Sequence, residues 1–230
     1  MQKVLLVVPS YNEEANIERV VEELKKHPEF DYIVVNDGST DRTAEICRAH
    51  GYNLLDLPVN LGLAGCFQAG MKYAYQRGYA YAIQFDGDGQ HRPEFIDGMR
   101  KKMDEGYDIV IGSRFVNQHK DMSVRMIGSR LISIAIRLTT GVKITDPTSG
   151  MRMFNRDMIK QFALNLNYGP EPDTVSYLLK QGARIAEVPV TIEERIGGES
   201  YLKPMVAVRY MTRILISILM IQNFRPDRHK

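Results

Sequence analysis

The chain has 230 residues, of which 44% are hydrophobic, and a formal net charge of +2. This length predicts one domain plus an appendage, and the apolar content is ample for a core. So small a net charge argues against bulk binding of nucleic acid. The only two cysteines, Cys47 and Cys66, lack the spacing of a metal site, so we expect buried thiols in a reducing compartment.

The first half alternates short apolar runs with segments of helical periodicity. We expect strands over residues 4–8, 32–35, 54–59, 81–85 and 108–111, and helices after Glu14, around Ala44, and over residues 67–76 and 93–105. This alternation predicts an α/β, mostly parallel, doubly wound (Rossmann-like) sheet. Ligands of such sheets bind at the carboxyl ends of the strands. Residues 9–13, 37–41 and 86–90 should therefore converge on one crevice.

The second half is less regular. Its patterns predict helices over residues 123–140, 156–163, 172–181 and 204–224, and strands over 151–154 and 185–193. An internal Pro189 marks the last strand as an edge or bulged strand. We expect one α/β domain over residues 1–200, followed by an amphipathic helix and a basic tail over 201–230. The sequence predicts no signal peptide, and no segment has the roughly 18 uninterrupted apolar residues that a membrane span needs.

The most informative run is Asp86-Gly-Asp-Gly-Gln-His-x-Pro93, which follows a predicted buried strand. Alternate residues of extended backbone face the same way, so Asp86 and Asp88 can reach one cation, with the amide oxygen of Gln90 as a third ligand. Mg²⁺ and Mn²⁺ prefer oxygen ligands and commonly hold substrate phosphates as well. The alternative is an ordinary Asp-Gly turn.

The first loop argues against dinucleotide binding of the usual kind. It has neither G-x-G-x-x-G nor a Walker lysine, and reads instead Pro9-Ser-Tyr-Asn-Glu-Glu14. Tyr11 is suited to stack on a base, and Asn12 or Glu13 to hold base or ribose edges. Asp37 is suited to accept from a base or a ribose hydroxyl, or else to form a turn.

These motifs together resemble the inverting family-two glycosyltransferases of GT-A fold. The resemblance rests on five sequence runs that occur in the same order. Within the family, the chain is similar in particular to the dolichol-phosphate mannose synthase and polyisoprenyl-phosphate glycosyltransferase branch. The runs are Pro9-Ser-Tyr-Asn-Glu-Glu14, Val35-Asn-Asp-Gly-Ser-Thr-Asp41, Asn60-Leu-Gly62, Asp86-Gly-Asp-Gly-Gln-His-x-Pro93 and Gly112-Ser-Arg114. Residues 1–200 would then form the GT-A domain.

The resemblance implies a nucleotide-sugar donor, leaning to uridine over guanosine, and a Mg²⁺ or Mn²⁺ cofactor. The implied nucleotide-binding residues are Pro9, Tyr11, Asn12, Glu13, Asp37, Gly62 and Asp86. The implied metal ligands are Asp86, Asp88 and Gln90.

A second set implied by the branch surrounds the phosphate of a polyprenyl (undecaprenyl or dolichyl) acceptor. The members of this set are Arg114, Arg125, Ser129 and Arg195. Together with Asp88 they are the catalytic residues that the resemblance implies. Tyr201 stands where the branch often has lysine, with Lys203 two residues further on. A phosphate is already ionised and needs alignment rather than a base. A sugar hydroxyl acceptor would need a general base, and the candidates for that base are Glu171, Asp173 and Asp146.

Two helices carry a membrane signal. Six basic residues and one acidic residue lie from Arg114 to Lys143, and the terminal helix pairs a narrow polar stripe with a dense apolar run. The first helix suits either a lipid interface or a buried position with a solvated charged edge, and the terminal helix suits either a lipid interface or a protein contact. We expect a peripheral protein at the cytoplasmic face of the membrane, partnered by a small membrane protein or its own copies, acting in cell envelope biogenesis.

Three functions compete at this point. The first is a metal-dependent transferase to polyprenyl phosphate. The second is a transferase to a saccharide hydroxyl in cell-envelope polysaccharide synthesis, and the third is a non-catalytic membrane-associated subunit. A nucleotidyltransferase is disfavoured because its first loop would be glycine-rich and basic, whereas residues 9–14 are acidic.

Overall fold

The computed structural model describes residues 3–86, 91–116, 123–165, 168–191 and 204–224. The side chains of Val124, Arg125, Pro204, Asn223 and Phe224 are not described. Of the predicted site residues, Asp88, Gln90 and Arg195 lie outside these ranges.

The described chain contains one seven-stranded sheet of order β3-β2-β1-β4-β6-β5-β7. The strands are β1 Val4–Ser10, β2 Asp31–Asn36, β3 Leu54–Asp56, β4 Tyr81–Gln84, β5 Ile109–Ser113, β6 Arg152–Phe154 and β7 Ile185–Pro189. Strand β6 is antiparallel to both of its neighbours, and every other pairing is parallel. The predicted mostly parallel α/β sheet is confirmed.

Helices cover both faces of the sheet. They are α1 Ile17–Lys25, α2 Thr43–Ala49, α3 Gly62–Gln76, α4 Ile96–Asp104, α5 Val124–Thr140, α6 Arg156–Leu164, α7 Pro172–Lys180 and α8 Pro204–Leu219. Two 3₁₀ helices, Pro93–Phe95 and Ile221–Phe224, complete the elements.

The sheet divides the core into two layers, as the residues of β1 show. Its alternate residues Leu5 and Val7 pack in the layer of α3 and α5–α8, whereas Leu6 and its neighbours on that side pack against α1, α2 and α4. Both cysteines are buried as predicted, one in each layer. Because both faces are covered, the strands are nearly continuous runs of apolar residues.

Four predicted boundaries were wrong, the first being the start of α3, which lies at Gly62 rather than at residue 67. Strand β3 ends at Asp56 rather than at residue 59, because Pro58 has no N–H to donate and the chain then turns toward α3. Strand β7 ends at Pro189 on the sheet edge, instead of carrying that proline inside it. The terminal helix is α-helical only to Leu219, after which a 3₁₀ turn follows.

An aromatic cluster anchors α3 to the sheet. The ring of Phe67 meets those of Phe154 and Phe162 edge-on at centroid distances of 5.6 and 5.0 Å, and all three side chains are buried. Edge-to-face contact adds to the gain from burying apolar area. The cluster therefore fixes the start of α3, which borders the crevice.

We expect Phe67→Ala to lower the free energy of unfolding by about 3–5 kcal/mol, because it leaves a cavity between α3, β6 and α6. Urea denaturation monitored by circular dichroism measures the change. Leu138→Ala is the control, since this side chain is 77% exposed and should shift stability by less than about 0.5 kcal/mol. Equal losses in the two variants would contradict the assignment.

Candidate active site

The loops that follow β1 and β2 interlock at the carboxyl edge of the sheet. Asn12 donates its backbone N–H to Ser39 Oγ at 3.0 Å, and its Oδ1 accepts from the backbone N–H of Thr40 at 2.9 Å. Its φ of 54° lies in the left-handed region, which asparagine tolerates better than most residues. Asn12, predicted to bind nucleotide, thus ties the two loops together.

The acidic residues of the first loop are also engaged. Glu13 donates its backbone N–H to Thr43 Oγ1 at 2.8 Å, while its Oε2 accepts from Asn16 Nδ2 at 2.8 Å. Glu14 donates its N–H to Asp41 Oδ2 at 3.0 Å. The loop is therefore held against the start of α2. Pro9 and Tyr11, the other predicted nucleotide residues here, are both half-buried.

Asp37 connects the second loop to the start of α3. Its side chain is buried, and Oδ1 accepts from the backbone N–H of Leu61 at 2.7 Å. Gly38 follows with φ +64°, and a Cβ there would lie 2.6 Å from the backbone nitrogen of Asn60. Gly62, at φ +71°, donates its N–H to Asn60 Oδ1 at 3.0 Å. Asp37 and Gly62 are thus brought to one corner of the crevice.

Asp86 lies just beyond β4 with its side chain 35% exposed. Its Oδ1 accepts from Gln84 Nε2 at 3.1 Å, and its backbone N–H donates to Nδ1 of the buried His91 at 2.9 Å. Because Nδ1 accepts, the neutral imidazole carries its proton on Nε2, which lies 3.5 Å from Asp86 Oδ2. Two neighbouring side chains therefore orient this carboxylate before any ligand binds.

Metal binding by this edge rests partly on residues beyond the described ranges. Within those ranges, no three His, Cys, Asp or Glu side chains form a group able to hold a metal ion. Asp86 supplies a partly exposed carboxylate of the hard-oxygen type that Mg²⁺ and Mn²⁺ prefer. The donor chemistry fits the predicted cation, and the roles of Asp88 and Gln90 stay predictions.

A second polar group lies where β5 ends. Arg114 donates from Nε and Nη2 to the two carboxylate oxygens of Asp146, at 2.6 and 2.7 Å. Nη2 also reaches Thr148 Oγ1 at 3.3 Å, which is 3.2 Å from Ser129 Oγ. Asp146 is fully buried, whereas the Arg114 side chain is 26% exposed. Two predicted acceptor residues, Arg114 and Ser129, are thus joined through Thr148.

The segment that carries Asp146 is fastened to β7. Glu187 Oε1 accepts from the backbone N–H of Asp146 at 2.8 Å, and Oε2 accepts from the N–H of Thr145 at 2.7 Å and from its hydroxyl. Asp146 is therefore a support for Arg114, and this bidentate pairing leaves it poorly placed to serve as a base. Arg125, whose backbone alone is described, lies one helical turn before Ser129 on α5.

The other candidate bases contact α8. Glu171 accepts two hydrogen bonds from Arg213 Nη2, at 2.9 and 2.7 Å, and Asp173 Oδ2 accepts from Ser217 Oγ at 2.6 Å. Burial raises the pKa of Glu171, and the nearby Arg213 opposes that change. Both carboxylates therefore anchor the terminal helix. Ser217 of the predicted polar stripe is buried against α7, whereas Arg209, Thr212 and Arg213 of the same stripe stay exposed.

The outer faces of α5 and α8 are apolar. On α5, Ser129 is buried, while the exposed positions include Ile127, Leu131, Ile134 and Leu138. On α8 the exposed apolar residues include Met205, Val206, Val208, Ile216 and Leu219. An apolar groove of about 180 Å³ runs between the two helices. No helix in the described part of the chain has both the length and the apolar character needed to cross a membrane.

Sequence reasoning missed several supporting residues. Gln84 and His91 orient Asp86, while Thr148 and Glu187 organise the surroundings of Arg114. Of these, His91 lies inside the run Asp86-Gly-Asp-Gly-Gln-His-x-Pro93, whose pattern gave it no role. Glu187 had a weak signal of its own, as the one charged residue in the strand Ile185–Pro189.

The sequence matches a known protein family and resembles several characterised relatives. Residues 5–162 match the family described as Glycosyl transferase family 2. The undecaprenyl-phosphate mannosyltransferase of Micrococcus luteus is 31% identical over 211 residues, covering 86% of each protein. The polyprenol monophosphomannose synthase of Mycolicibacterium smegmatis is 29% identical over 216 residues, covering 86% of this chain and 80% of that protein.

Solved structures show the same fold. Glucosyl-3-phosphoglycerate synthase of Mycobacterium tuberculosis, in complex with phosphoglyceric acid, superposes with a TM-score of 0.73 at 20% identity. The same enzyme with Mn²⁺, UDP and glucosyl-3-phosphoglycerate gives 0.70 at 21% identity. Each comparison covers 99% of this chain and 82% of the other. The predicted GT-A fold is confirmed.

We expect Gly38→Ala to destabilise the protein more than Gly51→Ala. Both glycines have nearly equal positive φ, but an alanine Cβ at position 51 would meet no atom within 4 Å. Left-handed backbone costs each variant about 1–2 kcal/mol, and the overlap with residues 59 and 60 should add about 1–3 kcal/mol at position 38. Thermal denaturation measures both, and equal melting temperatures would contradict the close loop contact.

Proposed function

Because the chain belongs to glycosyl transferase family 2, as its motifs predict, we propose that it transfers a hexose from a nucleotide sugar to a polyprenyl phosphate. The observation that carries this proposal is the guanidinium of Arg114, held in a bidentate clamp by buried Asp146 and linked through Thr148 to Ser129. This cationic group follows β5, in the same sheet whose β4 leads to Asp86. The named polyprenyl-phosphate relatives support the choice of acceptor.

The donor nucleotide occupies the crevice between the first two loops and the start of α3. Half-buried Tyr11 stacks on the base, and the interlocked loops give the ribose a rigid wall built from Asn12, Glu13 and Asp37. Gly62 leaves the backbone open to a close approach. We favour uridine, which is the nucleotide held by a solved relative of this fold.

Asp86, Asp88 and Gln90 would hold Mg²⁺ or Mn²⁺ at the donor diphosphate. When bound, the cation supplies positive charge that stabilises the departing diphosphate and orients it. Of the three side chains, Asp86 is the described one, and Gln84 and His91 hold it in place. A fixed carboxylate needs no reorganisation at the moment of reaction.

The acceptor phosphate binds opposite the leaving group, so attack inverts the anomeric centre. Its oxygen is already ionised, and the enzyme has only to align it. Arg114, Arg125, Ser129 and Arg195 do this in our proposal. A hydroxyl acceptor would need a free carboxylate base, but Asp146 is clamped to Arg114, and Glu171 and Asp173 are bonded to α8.

The protein works as a peripheral enzyme at the cytoplasmic face of the membrane. The exposed apolar stripes of α5 and α8 lie side by side, as expected of helices that rest in the lipid interface. Exposed Arg137 and Arg209 suit anionic head groups. A polyprenyl chain entering from the bilayer would meet these helices before its phosphate reaches Ser129. Copies of this chain, or a small membrane protein, can complete the surface.

We expect the purified chain to label undecaprenyl phosphate when it is given a radiolabelled nucleotide hexose and Mn²⁺ or Mg²⁺. Chelation with EDTA should abolish transfer, and Asp88→Ala should lower kcat by at least about 100-fold, because the diphosphate loses its electrostatic support. Lipid extraction and scintillation counting measure the product, with UDP- and GDP-hexoses compared in parallel.

The matched control is Asp157→Ala, an exposed aspartate on α6, which should keep full activity. Undiminished turnover in EDTA would exclude the metal-dependent reaction. Label found in a water-soluble saccharide rather than in lipid would instead identify a hydroxyl acceptor.

We also expect the double variant Leu131→Glu, Leu138→Glu to bind vesicles of phosphatidylglycerol and phosphatidylcholine at least about tenfold more weakly, since burying each leucine contributes roughly 1.5–3 kcal/mol. Flotation on a sucrose gradient measures binding. Leu164→Glu is the control, because Leu164 is similarly exposed but lies on α6. An equal effect of the control would refute a membrane face formed by α5 and α8.

A further inference from the structure

Two buried polar residues stand opposite each other in the middle of the sheet. Gln84 on β4 pairs directly with Arg152 on β6 in the antiparallel register. Both residues are almost fully buried, at 4% and 3% exposure. Directly opposed residues of an antiparallel pair project from the same face of the sheet, with Cβ atoms roughly 5 Å apart. A charged residue and an amide are therefore neighbours inside the core.

Their hydrogen bonds are incomplete. Arg152 donates from Nη2 to the carbonyl of Pro147 at 2.7 Å. Its Nε and Nη1, and Oε1 of Gln84, have no hydrogen-bond partner among the described residues. Buried polar atoms are usually paired, and an unpaired set in one place calls for a functional explanation. Here two unpaired donors and one unpaired acceptor belong to directly paired residues of adjacent strands.

The other end of the Gln84 amide is fixed by Asp86. Nε2 of Gln84 donates to Asp86 Oδ1 at 3.1 Å. An ionised carboxylate only accepts hydrogen bonds, and a guanidinium only donates them. Asp86 therefore takes Nε2 of the amide, which leaves Oε1 as the atom able to accept from a guanidinium on the paired strand. A positive charge on β6 would favour the same orientation, because a guanidinium cannot accept from Nε2.

The segment that leads into β6 also touches Asp86. A Cβ added at Gly150 would lie 2.5 Å from Asp86 Oδ2. The carboxylate thus rests against the backbone of residue 150 on one side and the Gln84 amide on the other. Burial lowers the pKa of the Arg152 guanidinium, while Tyr210, Asp146, Asp86 and Glu171 oppose that change.

We propose that Arg152 is a positioning residue of the donor site, which orients the Gln84 amide so that Gln84 holds Asp86 ready for the divalent cation and the nucleotide diphosphate. This inference rests on the proposed function, since it takes Asp86 as part of the donor site. Arg152 does not touch the donor. Its effect passes through the Gln84 amide on the paired strand.

The test measures Mn²⁺ binding in the presence of UDP, by electron paramagnetic resonance of the free ion. We expect Gln84→Met, which keeps the length of the side chain but removes the amide, to weaken binding about tenfold, as is typical when a residue that supports a metal ligand is lost. Arg152→Met should weaken it similarly. Half-saturation by polyprenyl phosphate should stay unchanged in Gln84→Met, because the Gln84 amide bonds to Asp86 and not to an acceptor group.

Ser176→Ala serves as the control. Ser176 lies on α7 and has a buried hydroxyl without a hydrogen-bond partner in the described chain, so its removal should leave Mn²⁺ binding unchanged. Melting temperatures without metal distinguish loss of fold from loss of positioning. If Arg152→Met does not fold, Arg152→Gln, which also removes the positive charge, takes its place.

The double variant decides between a relay and two independent effects. If Arg152 acts through Gln84, the double variant should bind Mn²⁺ no more weakly than Gln84→Met alone. Additive losses, or full affinity in Gln84→Met, would overturn the inference. If the unaltered protein fails to bind Mn²⁺ with UDP, the proposed donor site itself fails, which is a different result.

Discussion

The antiparallel strand β6 is the constraint on which the site depends. It lies between β4 and β5, two strands that point the same way and lead to Asp86 and Arg114. Because β6 runs against them, the residues that precede it stand at the edge where both neighbours end. Asp146 can therefore clamp Arg114, and residue 150 can rest against Asp86. One short segment supports both the donor side and the acceptor side.

Many polar residues of the crevice form hydrogen bonds with each other. Asn12, Glu13 and Asp37 bond to neighbouring loops, so a nucleotide would meet a wall that is already rigid. Preorganisation of this kind lowers the entropic cost of binding. The carboxylates of α7 likewise anchor α8, which leaves the apolar side of that helix outermost.

Much of this arrangement could be read from the sequence. Strands with β-branched runs and the family motifs depend on local patterns, which the structure and the comparisons confirm. Of the three loops predicted to converge, the first two are shown to interlock. Strand ends set by proline, as at Pro58 and Pro189, shifted because local propensity does not record which neighbour a strand pairs with. The support that Glu187 gives to Asp146 could not be predicted, since the two residues are 41 positions apart in the chain.

Helix α5 shows most clearly what helical periodicity in the sequence cannot predict. Its sequence places Arg125, Ser129, Ser133 and Arg137 at four-residue spacing, which predicts a polar stripe on one side. The structure instead buries Ser129 beside Thr148, and turns leucine and isoleucine outward. Periodicity locates the two faces of a helix but does not say which one meets the protein when the surroundings include a polar site or a lipid surface.

The position of β6 also dictates an order of assembly during synthesis. Strand β5 leaves the ribosome before β6, yet its only neighbours in the described sheet are β6 and β7, which come later in the chain. Strands β1 to β4 can pair as they emerge, whereas β5 must wait with unpaired edges until residue 154 is available. The nascent chain therefore passes through an incomplete half-sheet, and this is the interval in which a chaperone would be of most use to it.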